Sequence, residues 1–153
     1  MFGRRIIVDS LIIGLLSGFL MAILLKLIEA ITDVRVYTLL LNVDFIPIIG
    51  QMKQPEPIEF LFHIVISIVI TFIFIFLADR LVLRDSFRKL LLLSFILCLP
   101  TISLYFPLST LAIRNVPEWN DWLAFAYWCI AHLFYAWLLP IFIYKKKRSI
   151  SSR

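Results

Sequence analysis

Five side chains stand out as able to do chemistry. Lys26 and Glu29, three residues apart, close the first long apolar run, and Glu59 and His63, four apart, open the second. Spacings of three and four put each pair on one face of a helix. If the two runs are antiparallel helices, all four groups lie at one depth, at a membrane boundary. Three uses suit them: an ion-pair cluster, a proton-responsive group, or a weak metal site. A single Glu-x-x-x-His falls short of zinc's usual three or four ligands. Ion pairing, or charged tips reaching the interface from apolar stems, is the plainer use. With Glu59 one turn before it and Glu29 near it, His63 is the member placed to gain charge on acidification. The fifth residue, His132, lies midway along a later run, among Phe125, Trp128 and Tyr135 at spacings that share a face. An ionisable group at mid-bilayer is a candidate for proton handling. The plainer alternative is a neutral imidazole bonded to a Ser or Tyr of a neighbouring helix, since no second ionisable group is expected at that depth.

The elements that must hold these groups follow from composition. The chain has 153 residues, 62% hydrophobic and 16% charged, against about 45–50% and about 25% in soluble domains. One domain over 1–153 is expected, and no water-soluble fold of this size hides such an excess. Disordered chains lack the aromatic and branched residues that crowd this one. The fold class is therefore all-α integral membrane. Four runs reach the roughly 20 residues that a hydrocarbon core demands: about 6–27, 58–78, 90–113 and 122–144. Each must be helical, because lipid offers the backbone no other partner. Arg4 and Arg5 before an apolar run resemble a signal peptide. The run is long, however, and no small-x-small site ends it, so it is read as a retained helix.

Basic residues orient the spans. Eleven fall before the first span, between the second and third, and after the fourth. Only Lys26, Arg35, Lys53 and Arg114 fall on the other side, with seven of the ten acids. Both termini are thus expected in the cytoplasm. The clustering of Lys and Arg at span ends, not the net charge of +5, decides the partners: membrane lipids and no nucleic acid. In the long outer loop, Asp33–Asn42 is apolar enough for a short interfacial helix, while 45–50 and 54–57 read as extended, turn-rich chain. A re-entrant hairpin is the alternative. Tyr37, Phe45, Trp119 and Trp122 suit an outer aromatic belt, and Tyr144 with Lys145–Arg148 an inner anchor.

Ser10, Gly14, Gly18 and Ala22 recur every four residues. Such a ridge lets another backbone come close, either within the chain or in a homo-oligomer through the first helix. Pro100 and Pro107 should kink the third span, and Pro140 falls within the fourth. Cys98 and Cys129 are single and apolar in setting, with no Cys-x-x-Cys. No phosphate loop, dinucleotide turn, Ser–His–Asp order or paired catalytic carboxylate is visible, so no enzyme activity, cofactor or metal is expected.

The segments Phe62–Val69, Phe106-Pro107-Leu108 and Val116–Trp119 leading to Ala131-His132-Leu133, with Gly14 and Gly18 followed by a Lys and a Glu, resemble the YagU-like family of bacterial inner-membrane proteins. The likeness covers most of the chain; the outer loop here is shorter than the family's. It implies a small bacterial inner-membrane protein, with acid tolerance as the kind of role suggested for the group, and it carries over no catalytic residue. The leading expectation is a non-enzymatic multi-pass cell-membrane protein, an accessory or acid- and stress-tolerance factor. The alternative is a small proton- or solute-conducting transporter using His132 and the outer Lys/Glu/His cluster.

Reporter fusions test the orientation. Fusions at Arg84 and after Arg153 should report cytoplasm, and one at Gln51 the outside. A periplasmic-type reporter active at Arg84 would overturn it.

Overall fold

The computed structural model describes residues 2–44 and 55–151, with side chains over 3–44 and 55–144. Six helices follow in order: α1 (Phe2–Thr32), α2 (Val36–Leu40), α3 (Glu56–Arg80), α4 (Phe87–Ser103), α5 (Tyr105–Leu111) and α6 (Trp122–Ser151). No strand occurs among the described residues. Four stretches are long and apolar enough to cross a membrane, the third being α4 and α5 together. The chain is therefore compatible with a multi-pass membrane protein. Both described ends and the 81–86 turn share one end of the bundle, the termini end. Segments 33–44 and 112–121 share the other, the loop end.

The helices outrun the apolar windows. α1 continues to Thr32 because nothing in Ile28–Ile31 breaks a helix; Asp33, with φ of 58°, ends it. An aspartate tolerates that left-handed backbone better than most residues. α3 begins at Glu56, with Pro57 in its first turn, where a missing N–H costs nothing. Residues 56 and 57 thus belong to the helix and not to the turn-rich chain expected there. The expectations for 45–54 and for the side chains of Lys145–Arg148, including the hairpin, Phe45 and the inner basic anchor, fall outside the described residues. α6 runs past the bilayer window because its basic tail consists of good helix formers.

The third span is divided at a single residue, Leu104, whose backbone stays in the right-handed helical region and still bonds to the Pro100 carbonyl at 3.1 Å. Pro107 has no N–H to offer the carbonyl of Ser103, four residues back, and its ring crowds that carbonyl. The helix stops at Ser103 and resumes at Tyr105. Tyr105 is fully buried at this break, and its hydroxyl meets the carbonyls of Glu118 and Asp121 at 2.9 and 3.0 Å. Pro100, one turn earlier, is accommodated within α4.

α1 packs against α3 and α6, and α4 against α6; α3 and α5 barely touch. Ser10, Gly14, Gly18 and Ala22 are all buried. A Cβ built on Gly14 would lie 2.7 Å from Ile68 Cα, and one on Gly18 would lie 2.7 Å from Ser67 Cβ. The ridge is therefore spent inside the chain, holding α1 to α3. The opposite face of α1, with Leu11, Leu15, Leu16 and Phe19, is exposed, as lipid-facing residues are. Toward the termini end, Phe74, Ile75 and Ala78 of α3, Leu90 of α4, and Leu139 and Ile143 of α6 close the core almost completely.

Gly14→Ala should destabilise the purified protein on the order of 1–3 kcal/mol through overpacking, because the atom it meets is backbone. Leu16→Ile, on the exposed face, should be nearly neutral. Equal melting temperatures for wild type and Gly14→Ala in detergent would show that the ridge tolerates separation.

Candidate functional site

The site grows from the small-residue ridge. A helical carbonyl keeps a second lone pair after its own helix bond, and the side chain four residues on normally covers it. Above Gly14 stands Gly18, and above Gly18 stands Ala22, so both carbonyls are open to α3. Ser67 Oγ donates to the Gly14 carbonyl at 2.7 Å, and His63 Nε2 lies 3.1 Å from the Gly18 carbonyl. Ser67 Oγ also lies 3.1 Å from the hydroxyl of Tyr135 on α6. That hydroxyl reaches the Ser67 carbonyl at 3.0 Å and Thr71 Oγ1 at 3.1 Å, and Thr71 donates to the same carbonyl at 2.8 Å. Three helices thus meet at one polar knot, nearly all of it buried.

His132, one turn before Tyr135 on α6, is 5% exposed, and its Nδ1 lies 2.8 Å from the carbonyl of Trp128. The indole of Trp128 packs on the imidazole with centroids 4.4 Å apart, and its N–H reaches the carbonyl of Thr101 at 3.3 Å. The expected shared face of Trp128, His132 and Tyr135 is turned inward. The partner of His132 is a backbone carbonyl of its own helix, not a hydroxyl of a neighbour.

His63 and His132 line one cavity of about 230 Å³, with Asn42, Glu59, Ser67, Thr101, Trp128 and Tyr135 among its walls. This corrects two expectations. His63 is not a boundary residue, since α3 starts at Glu56 and seven residues carry His63 about 10 Å along the axis. Nor is His132 without a second ionisable group near it. Each histidine faces a carbonyl, which only accepts, so the bonded nitrogen must carry the proton. The remaining ring nitrogen, Nδ1 of His63 and Nε2 of His132, is then an acceptor in the neutral form.

The other three expected residues separate. Lys26 pairs with Glu56, 2.6 Å from Oε1, and lies 5.0 Å from the centroid of the Tyr37 ring. Tyr37 donates to the same Glu56 oxygen at 2.8 Å, and burial, with Glu56 next, pushes its phenol well above the ordinary range. Glu29 receives the amide of Thr38 at 2.8 Å and its hydroxyl at 2.7 Å. A carboxylate thereby satisfies a free donor in the first turn of α2. Glu59 is held by Arg114 through both oxygens, one of them 3.0 Å from Nη1. The hydrogen-bond partner of His63 is the Gly18 carbonyl, while Glu29 and Glu59 are engaged by Thr38 and Arg114, so the expected Glu29–Glu59–His63 grouping does not form.

Arg114 is the residue that sequence reasoning passed over. The carboxylate of Asp44 accepts the amides of Ile113 and Arg114 at 3.0 and 2.7 Å and stands 3.7 Å from the guanidinium. Arg35 adds a bond to the carbonyl of Asn115 at 3.3 Å. The hydrogen bonds to Glu59 hold the Arg114 guanidinium above its ordinary range. Its only advance signal was being the lone charge between Lys89 and Glu118. Lys26, Glu29, Glu56, Glu59 and Arg114 line an open crevice of about 420 Å³ at the loop end. Glu59 lines both crevice and cavity, so the Glu59–Arg114 pair stands between them. No group of three or more metal-binding side chains occurs among the described residues.

No family model, curated protein or solved structure matches this chain.

Glu59 is 5% exposed and Arg114 36%, so removing the cation strands a buried carboxylate. Arg114→Gln should cost on the order of 1–3 kcal/mol, less than a fully buried pair because the guanidinium is partly solvated. Arg114→Gln with Glu59→Gln should recover part of that loss. Strictly additive losses in this double-mutant cycle would show that the two groups are not coupled.

Proposed function

We propose that this chain is a non-enzymatic multi-pass protein of the cell membrane, with both termini in the cytoplasm. Its outer half holds a closed-ended chamber, so it receives or senses something at the outer face and does not conduct. The observation that carries the reading is where the connected run of polar residues ends. From the outer crevice they run through Glu59, His63, Ser67, Tyr135 and His132 to Thr71. Beyond Thr71 lies a plug whose buried side chains are mainly apolar, Phe74, Ile75, Ala78, Leu90, Leu139 and Ile143, with Asp9, Ser10 and Ser94 as buried polar residues among them. A hydrated path needs continuous polar lining or width; here Ser10 and Ser94 give their hydroxyls to carbonyls of their own helices and Asp9 stands 4.0 Å from Arg5, so they do not extend the polar run. The hydroxyl proton of Ser67 goes to a backbone carbonyl at 2.7 Å, which leaves it unsuited to act as a nucleophile.

The orientation rests on the eleven-to-four split of basic residues, and α2 then lies at the outer interface. An acid-tolerance role, as the YagU-like resemblance implies, belongs with this reading as the task of such a component. The reading itself does not depend on that resemblance. The competing reading, a small proton conductor, draws on the two histidines in one cavity. It requires the apolar plug to open.

Proteoliposomes carrying a pH-sensitive dye decide between them. The proton gradient should decay at the rate of protein-free vesicles. Decay several-fold faster, and abolished by His132→Leu, would establish the conductor and overturn the closed chamber.

A further inference from the structure

The cavity has a recognisable chemical demand. Its walls are mostly apolar, and they include Phe62, Ile66 and Ile70 of α3 and Leu104 and Leu108 at the break between α4 and α5. Phe62, Ile66 and Leu104 are also exposed on the bundle's outer surface. Because α3 and α5 barely touch, this seam opens sideways to where hydrocarbon would lie. The polar wall carries His63 and His132, each with its N–H given to a backbone carbonyl. What remains to each ring is a lone pair, so an occupant must donate. Asn42, 3% exposed, lines the same cavity. Its Oδ1 accepts from the Asp44 amide at 3.1 Å, which identifies the other atom as nitrogen, and Nδ2 has no hydrogen-bond partner. A buried donor left unbonded is costly, and an occupant that also accepts would relieve it.

We propose that this cavity binds a small neutral alcohol or phenol dissolved in the bilayer, entering through the α3–α5 seam. The hydroxyl donates to an imidazole lone pair and accepts from Asn42 Nδ2. The other common headgroup chemistries fit worse. A carboxylate or phosphate would set its oxygens against two lone pairs and the Glu59 carboxylate. An ammonium would leave Asn42 unanswered and would bring a charge into an apolar chamber whose carboxylate is already taken by Arg114. The size is right for a short amphiphile. An apolar cavity of about 150 Å³ takes a benzene, so about 230 Å³ with an open side takes roughly ten heavy atoms by simple scaling. The proposal names the ligand class of the chamber described above and rests on that reading for a chamber that retains its occupant.

The test uses the full chain purified in detergent and radiolabelled 4-propylphenol as the probe. One saturable site is expected, from which unlabelled 4-propylphenol displaces the probe at least tenfold better than 4-propylanisole. The methyl ether keeps the shape and loses the donor. Because the hydroxyl donates to one imidazole, at least one of His63→Leu and His132→Leu should weaken phenol binding tenfold or more and leave weak anisole displacement unchanged; full phenol binding by both variants would overturn the proposal. If either variant fails to fold, Ile66→Trp at the seam substitutes for it: its melting temperature should be kept and its binding lost. Absence of a saturable site, equal displacement by phenol and anisole, or full binding by Ile66→Trp would each overturn the proposal. Failure here with vesicles that hold their proton gradient removes the ligand and leaves the closed chamber. Saturable phenol binding with rapid gradient decay removes the closed chamber and leaves the ligand.

Discussion

The molecule depends on the approach of α1 to α3 at Gly14 and Gly18. With water absent, apolar surfaces gain little from meeting each other, and helices associate through close packing and hydrogen bonds. Here both come from the same two glycines. Their missing side chains bring Ile68 and Ser67 to within contact of the α1 backbone. They also uncover carbonyls that take the hydroxyl of Ser67 and the imidazole of His63. A Cβ at either position would separate the helices and break these bonds together.

That contact also decides what the histidines are. An imidazole in hydrocarbon needs a partner for its N–H, and in this bundle the partner is backbone in both cases. Binding to backbone fixes the tautomer without using up a neighbouring side chain. The cavity between the rings is therefore a by-product of how each ring is satisfied, with its acceptor side left over. The Ser67–Thr71–Tyr135 knot, one turn farther along, satisfies its own hydroxyls and carbonyl almost completely.

At the loop end the charges do a different job. Glu29 holds the first turn of α2, Glu56 collects Lys26 and Tyr37, and Arg114 gathers Glu59 and Asp44 from separate segments. These pairs tie 33–44 and 112–115 down onto the helix ends, where no long apolar element is available to do so. The Lys26–Glu56 pair is well exposed and contributes little by itself. The Arg114–Glu59 pair, with its carboxylate buried, is the one that matters to the chamber beneath.

Much of this was legible in the residues alone. Runs of about 20 apolar residues can satisfy their backbones in lipid only as helices, so four spans follow from composition. The inward face of α6 follows from the spacing of Trp128, His132 and Tyr135. The small-residue ridge announced a close contact, and Pro100 and Pro107 a kink in the third span. What the residues could not say was which carboxylate meets which cation, because pairings one turn apart along antiparallel helices depend on helix length and axial offset. α1 and α3 run farther than their apolar windows, and this shift brings Glu56, which the expected cluster did not include, to Lys26. The same shift carries His63 inward to share a cavity with His132. Arg114 was hidden for a related reason: its partners lie 55 and 70 residues away, and only the folded chain brings them together.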